Sequence, residues 1–180
     1  MKNNQKKLNR RSFLEHSAKI TAAGILMSRL PAASKKLIKI EGEIKVALVG
    51  CGGRGAGAAA QALAADPDVR LVAMADVFVD RAEECFASLS EKNEHLDRLN
   101  VNEETVFIGF DAYKKAIDMA DVVILTTPPA FRPTHFQYAI MKNKHVFMEK
   151  PVATDVAGIK QVIEAGKTAR RKKLNVVVGL

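Results

Sequence analysis

The sequence has no tryptophan, and aromatic residues make up only 6% of it, so any core must be mainly aliphatic. It has two cysteines, Cys51 and Cys85, too few for the disulfide framework of a small secreted scaffold. The four histidines, His16, His95, His135 and His145, are scattered. No Cys/His spacing suggests a metal cage, and no metal is expected. Long uncharged apolar runs are also missing. The apolar stretch 18–30 is broken by Lys19 and Arg29, which leaves it too short and too charged for a stable membrane anchor. Acid is nearly absent from residues 1–39, where Glu15 stands alone against ten Lys and Arg. The net charge of +8 therefore belongs to this leader. Of the chain's 28 basic and 20 acidic residues, eighteen and nineteen lie in residues 40–180, which makes the body nearly neutral. A phosphate-backbone binder needs a basic face on the folded domain, so nucleic acid is not an expected partner.

What the leader does contain is ordered like an export signal. A basic start ends in Asn9-Arg10-Arg11-Ser12-Phe13-Leu14, a modest apolar stretch follows, and Pro31-Ala32-Ala33-Ser34 offers small residues to a peptidase. The paired arginines before Phe and Leu resemble a twin-arginine signal. Residues 1–34 are read as that signal and 35–43 as a linker. The export machinery is then a partner and the expected location is periplasmic. Cleavage near Ser34 is expected, although no clean Ala-x-Ala is present. A basic N-terminus of a cytoplasmic protein is the alternative. Twin-arginine export carries folded proteins, so a cofactor could be bound before crossing.

From residue 44 apolar, β-branched runs alternate with helix-like segments. Strands are expected over 44–49, 69–75, 106–110, 122–126, 145–148 and 175–178. Helices are expected over 55–65, 80–92 (with Asp80 as N-cap), 112–119, 134–142 and 156–173. Segment 93–102 is polar and reads as loop or frayed helix. Continuous apolar strands alternating with helices predict an α/β fold, a parallel sheet covered on both faces. Six strands in this order predict the doubly wound Rossmann arrangement over 44–180. The basic run from Lys167 to Lys173 reads as the solvated last turns of a helix, and His145 as a structural strand residue.

The first strand runs into Gly50-Cys51-Gly52-Gly53-Arg54-Gly55. Gly50 permits the tight turn, Gly52 removes the Cβ that would block a pyrophosphate, and Gly55 lets the helix pack close to the strand. Gly53 adds looseness, and Cys51 is a small residue that fits. The helix N-terminus offers free N–H groups to phosphate. Arg54 either touches phosphate or is a solvated arginine. Asp76 closes the second strand, 21 residues beyond Gly55. That is the spacing of the acid that binds the adenosine ribose hydroxyls; a helix-entry turn residue is the alternative. A carboxylate there repels a 2′-phosphate and no basic residue lies nearer than Arg81, so NAD is expected over NADP.

Further on stand Thr126-Thr127-Pro128-Pro129, His135, and Lys144-His145-Val146-Phe147-Met148-Glu149-Lys150-Pro151. With the glycine loop, these motifs resemble the glucose–fructose oxidoreductase, inositol dehydrogenase and MocA family across residues 44–180. Asn143 departs from the family's usual glycine, and Phe131-Arg132-Pro133 is a longer lead into His135. The resemblance implies a catalytic Lys150 beside the nicotinamide, where bare sequence would read a strand-end surface lysine. It implies that Glu149 lies near the nicotinamide ribose and that Pro151 follows a cis bond. Thr127 and Pro128 would line the cofactor pocket. His135 would begin the next helix on the nicotinamide side, or serve in capping or packing.

The activity expected from the resemblance is hydride transfer between NAD and a hydroxyl carbon of a sugar or polyol. Two alternatives stand beside it, an NAD-dependent glycoside hydrolase of the same family and a non-catalytic dinucleotide-binding fragment. The chain stops just after the last strand, so a second, substrate-binding domain carrying the general base is expected outside it. Residues 1–180 alone are then expected to be inactive, and the complete protein to be a homo-oligomer.

Overall fold

A computed structural model of the chain describes residues 42–92 and 96–179. The leader, and all but the last two residues of the linker, lie outside the described residues.

Residues 42–179 form a six-stranded, wholly parallel sheet with helices on both faces. The elements run β1 (Ile44–Val49), α1 (Gly53–Ala65), β2 (Val69–Asp76), α2 (Val79–Lys92), a 3₁₀ turn (Leu96–Arg98), β3 (Val106–Ile108), α3 (Ala112–Met119), β4 (Val122–Leu125), α4 (Arg132–Met141), β5 (His145–Met148), α5 (Val156–Arg171) and β6 (Val176–Val178). The strand order is β3-β2-β1-β4-β5-β6, which is the doubly wound order. The order of strands reverses between β1 and β4, and such sheets bind ligands at that reversal, beyond the strands' carboxyl ends.

Strand alternation sends successive side chains to opposite faces, and two cores result. Val46 and Leu48 of β1, with Leu71, Met74 and Ile124, receive Ala58, Ala59 and Leu63 of α1 and Ala82, Cys85 and Leu89 of α2. Ala47 and Val49, with Ala73, Ala75, Val123, Leu125, Val146 and Met148, receive Tyr113, Ala116 and Ile117 of α3, Phe136, Ala139 and Ile140 of α4, and Ala165 and Ala169 of α5. The shortage of aromatics is met by alanine-rich helices that approach the sheet closely.

The expected strands and helices all form, with shifted ends. Helix α1 starts at Gly53, two residues early, and α4 at Arg132 rather than residue 134. Asp80 is not an N-cap, because α2 already begins at Val79 and Asp80 sits in its first turn. The turn entering α2 is made by Asp76, whose Oδ1 accepts from the Phe78 N–H at 3.1 Å. Strand β3 ends at Ile108 because Gly109 adopts φ +111. The Lys150–Pro151 bond is cis.

One contact sets how closely α1 sits on β1. A Cβ on Gly55 would lie 2.0 Å from the Gly50 carbonyl oxygen, whereas one on Gly53 would meet nothing within 4 Å. Gly55→Ala is expected to lower stability in urea unfolding by about 3 kcal/mol or more, the upper end of overpacking costs. Gly53→Ala is expected to stay within about 1 kcal/mol of wild type. Equal effects at the two positions would contradict this account of the packing.

Candidate functional site

The glycine loop crosses the carboxyl end of β1 and is held from both sides. Gly50 donates its N–H to the Ala75 carbonyl at 2.8 Å, and Thr126 donates its hydroxyl to the Gly50 carbonyl at 2.6 Å. Gly50 adopts φ +98, and a Cβ there would lie 2.6 Å from the Thr127 nitrogen. Gly50 is thus wedged against the β4 turn, and Gly55 against Gly50. Gly52 and Gly53, by contrast, face open space, with nothing within 4 Å of a Cβ at either. Gly52 caps α1, which has no side-chain cap and no acid in its first turn, so its first N–H groups remain available to an anion. A bare backbone beside open space at a helix N-terminus fits a pyrophosphate.

A cavity of about 580 Å³ opens beside this loop. Its walls include Gly50, Gly52 and Asp76 at one side and Thr127, Pro128 and His135 at the other. Phe78 and Phe110, largely exposed, and the partly exposed Phe131 stand around it, as does Arg81. Asp76 Oδ2 accepts from the Cys51 N–H at 2.7 Å. The same carboxylate therefore braces the loop and faces the cavity.

His135 lies in the first turn of α4, 7% exposed, with its ring 4.2 Å from the Tyr113 ring. Its Nδ1 and the Thr127 hydroxyl share a hydrogen bond of 3.2 Å whose direction follows the imidazole tautomer. Burial pulls its pKa down from 6.5 to about 4. The imidazole is neutral at pH 7, a hydrogen-bonding wall rather than a charge.

Glu149 and Lys150 follow β5. Glu149 is buried, and its carboxylate pairs with Arg54 at 2.5 Å. Arg54 therefore reaches across the top of the sheet rather than into solvent alone. Lys150 is exposed at the turn. Neither Glu149 nor Lys150 lines the 580 Å³ cavity, nor do Gly53, Arg54 and Gly55. The structure thus assembles Gly50, Gly52, Asp76, Thr127, Pro128 and His135 around one space, with the Arg54–Glu149 pair and the adjoining Lys150 outside that lining.

Three features escape a reading of the sequence. Arg132 is only 5% exposed and lines the cavity; its sole signal is its place beside Pro133 at a helix start. The Cys51 and Cys85 thiols come together under the loop, where hydrogen bonding to Cys85 and burial push the Cys51 thiol far up. The aromatic rim of Phe78, Phe110 and Phe131 comes from three separate loops. Among the described residues, no group of three His, Cys, Asp or Glu side chains could hold a metal.

Residues 44–180 match the family model for Gfo/Idh/MocA oxidoreductases, which describes an NAD-binding Rossmann fold. The chain belongs to this family. Among curated proteins, a "Glycosyl hydrolase family 109 protein" from Streptomyces coelicolor is 29% identical over 133 residues, 73% of this chain and 27% of that one. Among solved structures, scyllo-inositol dehydrogenase from Lactobacillus casei with bound NAD(H) and scyllo-inositol superposes with TM-score 0.57 at 25% identity, covering 76% of this chain and 36% of that one. A 3-ketoreductase from Actinomadura kijaniata, in complex with NADP and TDP-benzene, superposes with TM-score 0.56 at 26% identity, covering 76% and 37%. The chain thus spans little more than a third of these relatives' length at most.

The His135 environment has a measurable consequence. Its folded pKa of about 4 lies below the ordinary 6.5, so between those values the unfolded chain holds the extra proton. The contribution of His135 to stability is complete above about pH 6.5 and is expected to be lost as pH drops toward about 4, by up to about 3 kcal/mol. Urea midpoints at neutral pH and near pH 4.5 are expected to converge in His135→Gln relative to wild type; an undiminished fall in that variant would rule out His135 as its source.

Proposed function

We propose that this family member is an NAD-dependent oxidoreductase acting at a hydroxyl carbon of a sugar or polyol. One observation carries the reading. The open backbone at Gly52, the uncapped start of α1 and the Asp76 carboxylate all border one cavity at the strand-order reversal. In this reading the loop Gly50–Gly55 holds the pyrophosphate, Gly52 and Gly53 giving it open backbone, Gly50 and Gly55 shaping the turn, and Arg54 adding positive charge beside Glu149, while Asp76 holds the adenosine ribose hydroxyls. Thr127, Pro128 and His135 line the pocket, and Glu149 lies toward the nicotinamide ribose. When bound, the dinucleotide supplies a hydride acceptor and donor. Lys150 donates a hydrogen bond to the reacting oxygen and stabilises the negative charge that grows there as the hydroxyl proton leaves. The general base comes from residues beyond these 180, in keeping with the greater length of the relatives. Arg10-Arg11-Ser12-Phe13-Leu14 supports twin-arginine export to the periplasm.

The name of the Streptomyces coelicolor relative favours a second reading, glycoside hydrolysis with no net change in the cofactor. In turnover of glycosides and polyols by the whole enzyme, NADH formed in step with product supports the dehydrogenase. Free sugar released without NADH selects the hydrolase. Lys150→Met is expected to cut turnover at least 100-fold in either case; unchanged turnover would remove Lys150 from the chemistry.

The two ligand-bound neighbours differ in cofactor, one holding NAD(H) and the other NADP, so the preference for NAD rests on Asp76. In fluorescence titrations wild type is expected to bind NADH at least 10-fold tighter than NADPH, since a 2′-phosphate would face the carboxylate. Asp76→Asn, which keeps the acceptor to the Cys51 N–H, is expected to lose most of that difference. Equal or tighter binding of NADPH by wild type would overturn the assignment.

A further inference from the structure

Arg132 touches both the cavity and the turn bearing Lys150. It opens α4, lines the cavity beside Thr127, Phe131 and His135, and is 5% exposed. Its Nη1 donates to the Glu149 carbonyl at 2.8 Å and also to the Pro151 carbonyl. Those two carbonyls belong to the residues immediately before and after Lys150. A single guanidinium nitrogen, with two hydrogens in a fixed plane, thus fastens the chain on both sides of the lysine. The Nε of the same group is buried with no partner. Burying a charged group is costly unless its hydrogen bonds are satisfied, so Arg132 is poorly explained as packing alone. The next residue, Pro133, packs so close to Gly158 of α5 that a Cβ there would lie 3.1 Å from its Cγ.

We infer that Arg132 is a positioning residue for Lys150, clamping the carbonyls of Glu149 and Pro151 so that the lysine leaves the turn in one direction, toward the bound dinucleotide. The inference rests on the reading of Lys150 given above. A lysine side chain has four rotatable bonds, and a free-moving turn beneath it would scatter its ammonium over several ångströms. A misplacement of about 1 Å can cost roughly 100-fold in rate. Arg132 removes the backbone share of that freedom. It touches neither reacting atom itself, and its loss leaves the glycine loop and Asp76 intact.

The test uses the full-length protein with isotopically methylated lysines, NADH as the probe, and the variants Arg132→Ala and Arg132→Gln. The Lys150 NMR signal is identified by its absence in Lys150→Arg. Saturating NADH is expected to move that signal in wild type and to leave it in place in both Arg132 variants, although NADH still saturates both by fluorescence. Methylguanidinium is expected to restore the movement in Arg132→Ala. In turnover at saturating cofactor, both variants are expected to lose about 100-fold in kcat. Equal movement in wild type and variants overturns the Arg132 role and leaves the Lys150 reading standing. No movement in wild type at saturating NADH overturns the Lys150 reading, and the positioning role with it. Loss of NADH binding or of the folded spectrum in both variants also overturns the proposal, by making Arg132 a cofactor ligand or a folding residue.

Discussion

The approach of Gly50 to Gly55 on one side and to Thr126-Thr127 on the other is the constraint on which the site depends. It brings α1 down onto β1 until no side chain fits between them, and it locks the end of β1 to the end of β4. Because the strand order reverses between those two strands, their crossovers leave in opposite directions and open the crevice that the loop borders. The sheet supplies direction, the glycines supply proximity, and the helix start supplies a partial positive charge. Loosening the contact would disturb all three together.

The two faces of the sheet contribute differently. The α1/α2 face is built mainly from leucine, valine and alanine and includes Cys51 of the loop and Cys85 of α2 in one buried cluster. The α3/α4/α5 face carries the polar groups at the crevice, His135, Thr127 and Arg132, at the point where α4 meets the β4 turn. Burial there lowers the pKa of two basic side chains, which meet it differently. His135 gives up its charge. Arg132 meets burial, which lowers its pKa, with Glu149 opposing that shift, and its hydrogen bonds to two carbonyls fix where the cation sits.

Much of the fold was legible because the strands are short apolar runs ending in glycine, aspartate or proline, each a local signal. The order of strands followed from the doubly wound pattern. Helix starts were harder to read. Gly52 has no side chain to announce a cap, and the Arg132-Pro133 start looks like loop sequence. Within the site, Gly50, Gly52, Asp76 and Thr127 were legible because motif spacing is local. The Arg54–Glu149 pair spans 95 residues, and Arg132 meets its carbonyls across 17 and 19. Parallel strands bring such residues together through crossovers, so no spacing in the sequence reports them. Thr126 lay in plain view within its motif, but its bond to the Gly50 carbonyl depends on the β1–β4 register, which only the folded sheet defines.

The double engagement of Asp76 ties two properties that could otherwise vary separately. One oxygen of its carboxylate holds the Cys51 N–H in the glycine loop, and the other holds the turn into α2. A lineage that exchanged this acid for a residue welcoming a phosphorylated ribose would also release two backbone donors. The change of coenzyme would then weaken the loop that grips it, unless the new side chain could accept the same bonds. With Asp76 in the ribose-binding role proposed above, coenzyme choice is coupled to the integrity of the fold, and the substitutions open to this position are those that satisfy both.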